Sequence, residues 1–258
     1  MNHRGMAVVI GAAVTSIGLL GALQKTSSAV YPSWPKVFDD VVGGPSILLV
    51  LAVTVLLAGL PTSVALHERW PAHVRTRMPI RRWIVAQTLT SAVRSGLIAF
   101  VSLCIWGAYV FGWVATTSPE LVDPGGYPAS PDPAYSLAAM HPFFAWTGGQ
   151  PWLFVLLSAV WAGLHVCLLS VAATAAALLV RGRVLALLLP SAIVVGAGVG
   201  AELLGVPTMS PLMTWVYPGG LAPSSPLASL MPSFVLAVVV AGAMLVVLRR
   251  APHSVRFS

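Results

Sequence analysis

Charge is what this sequence lacks most. Of its 258 residues 8% are charged and 57% hydrophobic, whereas a soluble globular chain carries about 25% charged residues. Such poverty excludes an ordinary water-soluble fold and points to an integral membrane protein. Carboxylates are scarcest, with seven Asp and Glu against fourteen Lys and Arg, and no two of them share an apolar run, so an intramembrane carboxylate pair is excluded. The two cysteines, Cys104 and Cys167, both lie inside apolar runs. They make neither a metal-ligand pair at familiar spacing nor a disulfide framework, and read as small hydrophobes. No Gly-Lys pair occurs anywhere, so the chain is not itself a nucleotide-driven motor of the P-loop kind. The G-x-S-x-G and H-E-x-x-H motifs are also missing, which leaves no visible hydrolase machinery.

What is present is a set of long apolar runs. Six segments, at about 6–23, 44–66, 92–113, 152–180, 184–204 and 231–248, are long enough to span roughly 30 Å of hydrocarbon at 1.5 Å per residue. They predict an all-α, polytopic membrane protein, a single transmembrane domain over 1–258. The first run also has the shape of a signal peptide; it is expected to be retained as a span.

Between the second and third runs lies HERWPAHVRTRMPIRRWIVAQTLTSAVRSGL, residues 67–97, which holds six of the twelve arginines. A short loop this basic belongs on the cytoplasmic side, and alternation then places both termini inside. On that topology the inner loops carry twelve positive residues against one negative, and the outer loops two against six. The resulting +11 and −4 account for the net +7. Segregation by loop makes the excess positive charge a topology signal, and nucleic acid is discounted as a partner.

Within the basic loop Pro79 suits the first position of a helix. Ile80, Trp83 and Ile84 fall on one face and Arg81 and Arg82 on the other. A short amphipathic helix on the inner membrane surface is expected, serving either as an interfacial anchor or as a docking element for a cytosolic partner. Glu202 at the outer end of the fifth span aside, Arg94 is the only charge expected within a span; it either snorkels to the inner interface or lines a pathway and attracts an anionic group. His165 is the one intramembrane histidine, with Trp161 a turn before it. It reads as a hydrogen-bonded bundle residue or as a site residue, and no second intramembrane His is available as a partner axial ligand for haem. Glu202 lies at the outer end of the fifth span, where it either meets water or serves a pathway. Pro190 is expected to kink that span, and Gly196-x-x-x-Gly200 permits a close helix contact. The outer loop around 206–226 is uncharged and carries Trp215 and Tyr217, which suits an outer-leaflet interface.

This arrangement resembles a permease subunit of an ATP-binding cassette (ABC) transporter, of the bacterial type-2 exporter class. The resemblance rests on the basic inner loop leading through MPIRRWIVAQTL into the third span, on LLVRGRVLALLLPSAIV at the turn from fourth to fifth, and on the apolar Pro/Gly loop before the sixth. The loop between the third and fourth spans is longer than the family's pattern. The resemblance implies a cytoplasmic coupling helix over about 75–90, with Arg75, Arg77, Met78, Pro79, Ile80, Arg81, Arg82 and Trp83 facing a separate cytosolic ATPase subunit. ATP and Mg would be bound by that subunit, with no cofactor in this chain. It also implies a second permease chain, the same or related, in a bacterial cell membrane, moving a hydrophobic or amphipathic substrate along the first, second and fifth spans, where Ser16, Thr54 or Ser63 are available; Arg94, His165 and Glu202 stand as possible pathway residues on their own reading. Two other classes stay open: a membrane enzyme or haem protein centred on His165, and an accessory subunit without a pathway.

Overall fold

The computed structural model describes residues 78–122, 150–180, 183–206 and 226–251, with single positions between 11 and 65 and between 143 and 148. Among them the architecture is helical, with one isolated bridge, Tyr31 to Val122, and no strand. Helix α1 spans Ile80–Gly107 and continues through a seven-residue π-helix, Ala108–Val114, into one more turn, Ala115–Thr117. Helices α2 (Pro151–Leu179), α3 (Arg183–Leu203) and α4 (Pro226–Arg250) follow. The stretches Ile80–Thr117, Pro151–Leu179 and Leu230–Arg250 are long and apolar enough to cross a membrane, and α3 contributes the shorter apolar stretch Leu188–Leu203. The expected spans at 92–113, 152–180, 184–204 and 231–248 thus coincide with helices. Those at 6–23 and 44–66 fall largely outside the described residues, as do loops 123–142 and 207–225, Arg75, Arg77 and both chain ends.

One expectation changes. Residues 80–91 are not a separate surface helix but the opening turns of α1 itself. No Gly or Pro interrupts 80–95, and the apolar side of the first turn has a protein surface to rest on. Ile80, Trp83 and Ile84 are buried against Ala175 and Leu178 of α2 and against Val247 and Ala251 at the end of α4. Pro79 stands one position before the helix, where its carbonyl accepts from the amides of Arg82 and Trp83 at 2.9 and 3.2 Å.

Between its two ends helix α1 buries small and hydroxylated residues, Thr88, Ser91, Ser95, Gly96 and Ser102, while Leu89, Val93, Leu97 and Val101 face outward. That is the pattern expected in lipid, where apolar side chains gain nothing by leaving the solvent and small residues let backbones approach. The approach is closest at Gly96 and Gly163. A Cβ on Gly96 would lie 2.9 Å from the Gly163 carbonyl oxygen, and one on Gly163 would lie 3.1 Å from that of Gly96. The Cys167 thiol donates to the Ala92 carbonyl at 3.2 Å, and Gly107 admits Val155, so α1 and α2 run antiparallel in tight register. By contrast Gly196 and Gly200 have open space where a Cβ would stand; the expected close contact is made by a different pair of glycines. The hydroxyls of Thr88 and Thr174 turn back to the carbonyls of Ile84 and Ser170 at 2.8 and 2.9 Å, so neither is left bare.

Helix α2 is central, with α1, α3 and α4 all packed on it, while α3 and α4 scarcely touch. Pro190 stands inside α3, which continues through it. At one end of the bundle lie Arg81, Arg82, Arg249 and Arg250. At the other, Tyr31, Phe38, Val110, Phe143 and Phe154 form a buried cluster, Phe38 and Phe154 meeting edge to face at 5.5 Å. The Tyr31 amide donates to the Leu121 carbonyl at 2.7 Å, which ties that position to the stretch following α1.

Gly96→Leu or Gly163→Leu is expected to cost at least about 1–3 kcal/mol through overpacking, and Gly196→Leu less than about 0.5 kcal/mol. Thermal unfolding of the full-length protein in detergent checks the contrast; equal losses at all three positions would remove the α1–α2 contact from its central role.

Candidate functional site

The basic end is built where two antiparallel helices expose opposite dipole ends. A cation in the first turn of a helix opposes its macrodipole, and the same cation beside a last turn is favourable. Arg81 belongs to the first turn of α1 yet donates its Nε–H to the Leu248 carbonyl of α4 at 3.1 Å. That carbonyl is among the last four of its helix, which have no partner within it. Arg81 therefore closes the end of α4 against α1. Arg82, Arg249 and Arg250 are exposed around it.

The residues expected to dock a partner divide accordingly. Met78, Pro79, Arg81 and Arg82 are exposed, while Ile80 and Trp83 are core residues at 6% and 8% exposure. What the first turn of α1 can present is thus a small basic surface, rimmed by Met78 and backed by a buried Trp.

Arg94 lies about 20 Å along α1 from Arg81, at 1.5 Å per residue. It is half-buried, and by the register that sets Ala92 beside Cys167 it stands at the height of His165. Among the described residues it is the only charged side chain between the two ends of the bundle.

His165 is 3% exposed on α2. Its Nδ1 is 3.0 Å from the Trp161 carbonyl, which can only accept, so the ring proton sits on Nδ1. Nε2 is then the acceptor for the Ser233 hydroxyl of α4, at 2.8 Å. The Trp161 ring lies 4.7 Å from the imidazole, centroid to centroid. Both ring nitrogens are thus engaged by groups of the protein itself. No group of three or more His, Cys, Asp or Glu converges among the described residues.

Glu202 is exposed in the last turn of α3, at the end opposite the arginines. Glu202 thus lies far from Arg94 and His165 along the bundle, and none of the three lines the clefts between α3 and α4. Two adjoining clefts of about 330 and 160 Å³ lie between α3 and α4, the smaller floored by α2, and their walls are apolar: Ile193, Val194, Leu236 and Val239 line both. Ser233 and its bond to His165 were invisible to sequence reasoning; the available signal was a hydroxyl directly after the intrahelical Pro232 in an otherwise apolar run.

Compared with protein-family models, with curated proteins and with solved structures, the chain matches none.

His165→Ala and Ser233→Ala are each expected to lower thermal stability, with a coupling energy of about 0.6 kcal/mol in a double-mutant cycle. Coupling indistinguishable from zero would mean that the hydroxyl does not bond to the ring.

Proposed function

We propose that this chain is the membrane-spanning permease subunit of an ATP-driven exporter in a bacterial cell membrane, with six spans, cytoplasmic termini and energy supplied by a separate ATPase subunit. The observation that carries the reading is the opening turn of α1. It is basic on its exposed side, apolar on its buried side, and joined directly to a helix long enough to cross the bilayer. A load applied to Met78, Pro79 and Arg82 passes into α1 without an intervening hinge, and through the Arg81–Leu248 bond into α4. A second chain of the same kind, identical or related, completes the transporter.

Arg94 extends the reading to the cargo. A cation at this depth is costly and is found in membranes chiefly where it pairs or serves a pathway. An anionic group on an amphipathic substrate would find in Arg94 the one positive charge away from the ends of the bundle among the described residues, apart from the apolar α3–α4 clefts. The haem reading of His165 loses support because both ring nitrogens are already bonded.

The test is affinity purification of the tagged full-length chain from its native membranes, with detection of co-purifying ATP hydrolysis. A P-loop subunit is expected to accompany the wild type and to be lost at least tenfold in Arg82→Glu. Arg82 is the residue to reverse, because reversing Arg81 would also uncap α4. An exposed charge reversal at the far end, Glu120→Arg, is expected to leave the complex intact. Transport without any ATP-hydrolysing companion, or equal recovery with Arg82→Glu, would overturn the proposal.

A further inference from the structure

We infer that α4 is a pivoting leaf, held at its Arg250 end and latched near its other end by the Ser233–His165 hydrogen bond, and that release of this latch opens the apolar cleft between α3 and α4. Three features of the structure converge on it.

The first is the unequal fixing of α4. At its Arg250 end Val247 and Ala251 are buried against Ile80, Ile84 and Leu178, and the Leu248 carbonyl takes the Arg81 guanidinium at 3.1 Å. Toward the other end the buried side chains described on α4 thin to Pro232 and Val240, and α3 stands off across a cleft of about 330 Å³. The second is the bond itself. His165 is immobilised on α2 by its Nδ1–H bond to the Trp161 carbonyl and by the Trp161 ring, so Nε2 points as a fixed acceptor at one hydroxyl of α4, 2.8 Å away. The third is Pro232, directly before Ser233 and lining the cleft. It removes the amide that would bond the 228 carbonyl, so α4 is weakest where the latch sits.

Interhelical hydrogen bonds in membranes are weak. A bond of this kind shifts a closed-to-open ratio by about three- to twentyfold, enough to hold one state and little enough for a ligand or partner to release. The cleft that opens is wholly apolar and bordered by helix faces that carry Val, Leu and Phe outward, so the movement gives lateral access from the bilayer rather than from water. This inference does not depend on the ATPase reading.

The test is a pair of spin-label distances in the full-length protein in lipid vesicles, in a Cys104→Ala, Cys167→Ser background. One pair, Leu203→Cys with Leu230→Cys, spans the mouth of the cleft. The other, Met78→Cys with Arg249→Cys, reports the pivot. Ser233→Ala is expected to shift the mouth distribution to longer distances, raising the open fraction about three- to twentyfold, with the pivot distances unchanged. Ser233→Thr, which keeps a hydroxyl, is expected to retain the closed distribution. An unchanged mouth distribution in Ser233→Ala overturns the latch. Movement of the pivot pair as well overturns the leaf, since α4 would then be detaching as a whole.

Discussion

The close approach of Gly96 and Gly163 is the constraint on which the rest of the described structure depends. In lipid, packing helices against one another removes little apolar surface from an unfavourable solvent, so association rests on van der Waals contact and backbone polarity at short range. A Cβ at either glycine would press on the opposing carbonyl oxygen at 2.9–3.1 Å. Once that distance is set, Cys167 reaches the Ala92 carbonyl, Val155 fits over Gly107, and the opening turn of α1 falls beside Leu178. The same register lifts Arg94 to mid-bundle and leaves His165 turned away from α1 toward α4.

Electrostatics at the two ends follows from helix direction. Because α1 and α4 are antiparallel, the positive dipole end of one lies beside the negative end of the other, and Arg81 joins them with one hydrogen bond. The arginine that looks most like a docking residue is therefore part of the scaffold. Its neighbour Arg82 is exposed, so a single turn holds one arginine that ties two helices together and one that faces outward.

Much of this was legible in the sequence where one-dimensional information suffices. Run length located α2, α3 and α4 to within a few residues, and the spacing of Ile80, Trp83 and Ile84 identified a buried face. What that face rests on was not legible, because the end of α2 and the end of α4 are distant in sequence. The glycines illustrate the same limit. Gly196 and Gly200 form the more conspicuous motif, yet Gly96 and Gly163 make the contact, each preceded four residues earlier by Ala92 and Ala159. A small-residue motif states that a backbone can approach; only the partner decides whether it does. The π-helix at Ala108–Val114 leaves no periodic trace in the sequence either.

The distribution of tight and loose contacts is itself informative about motion. The α1–α2 pair is closed by backbone-to-backbone proximity, which admits no graded opening: separation by an ångström forfeits much of the attraction of every touching atom. The α3–α4 boundary is open, apolar and crossed by two prolines, Pro190 and Pro232, each subtracting a ladder bond from its helix. A fold that needed only to persist would gain by filling that boundary, as α1 and α2 fill theirs. Leaving it unfilled, with the weak Ser233–His165 hydrogen bond nearby, concentrates deformability in one seam. On the proposed reading, displacement entering at the arginine end would pass through the tightly closed α1–α2 pair and be taken up at this seam.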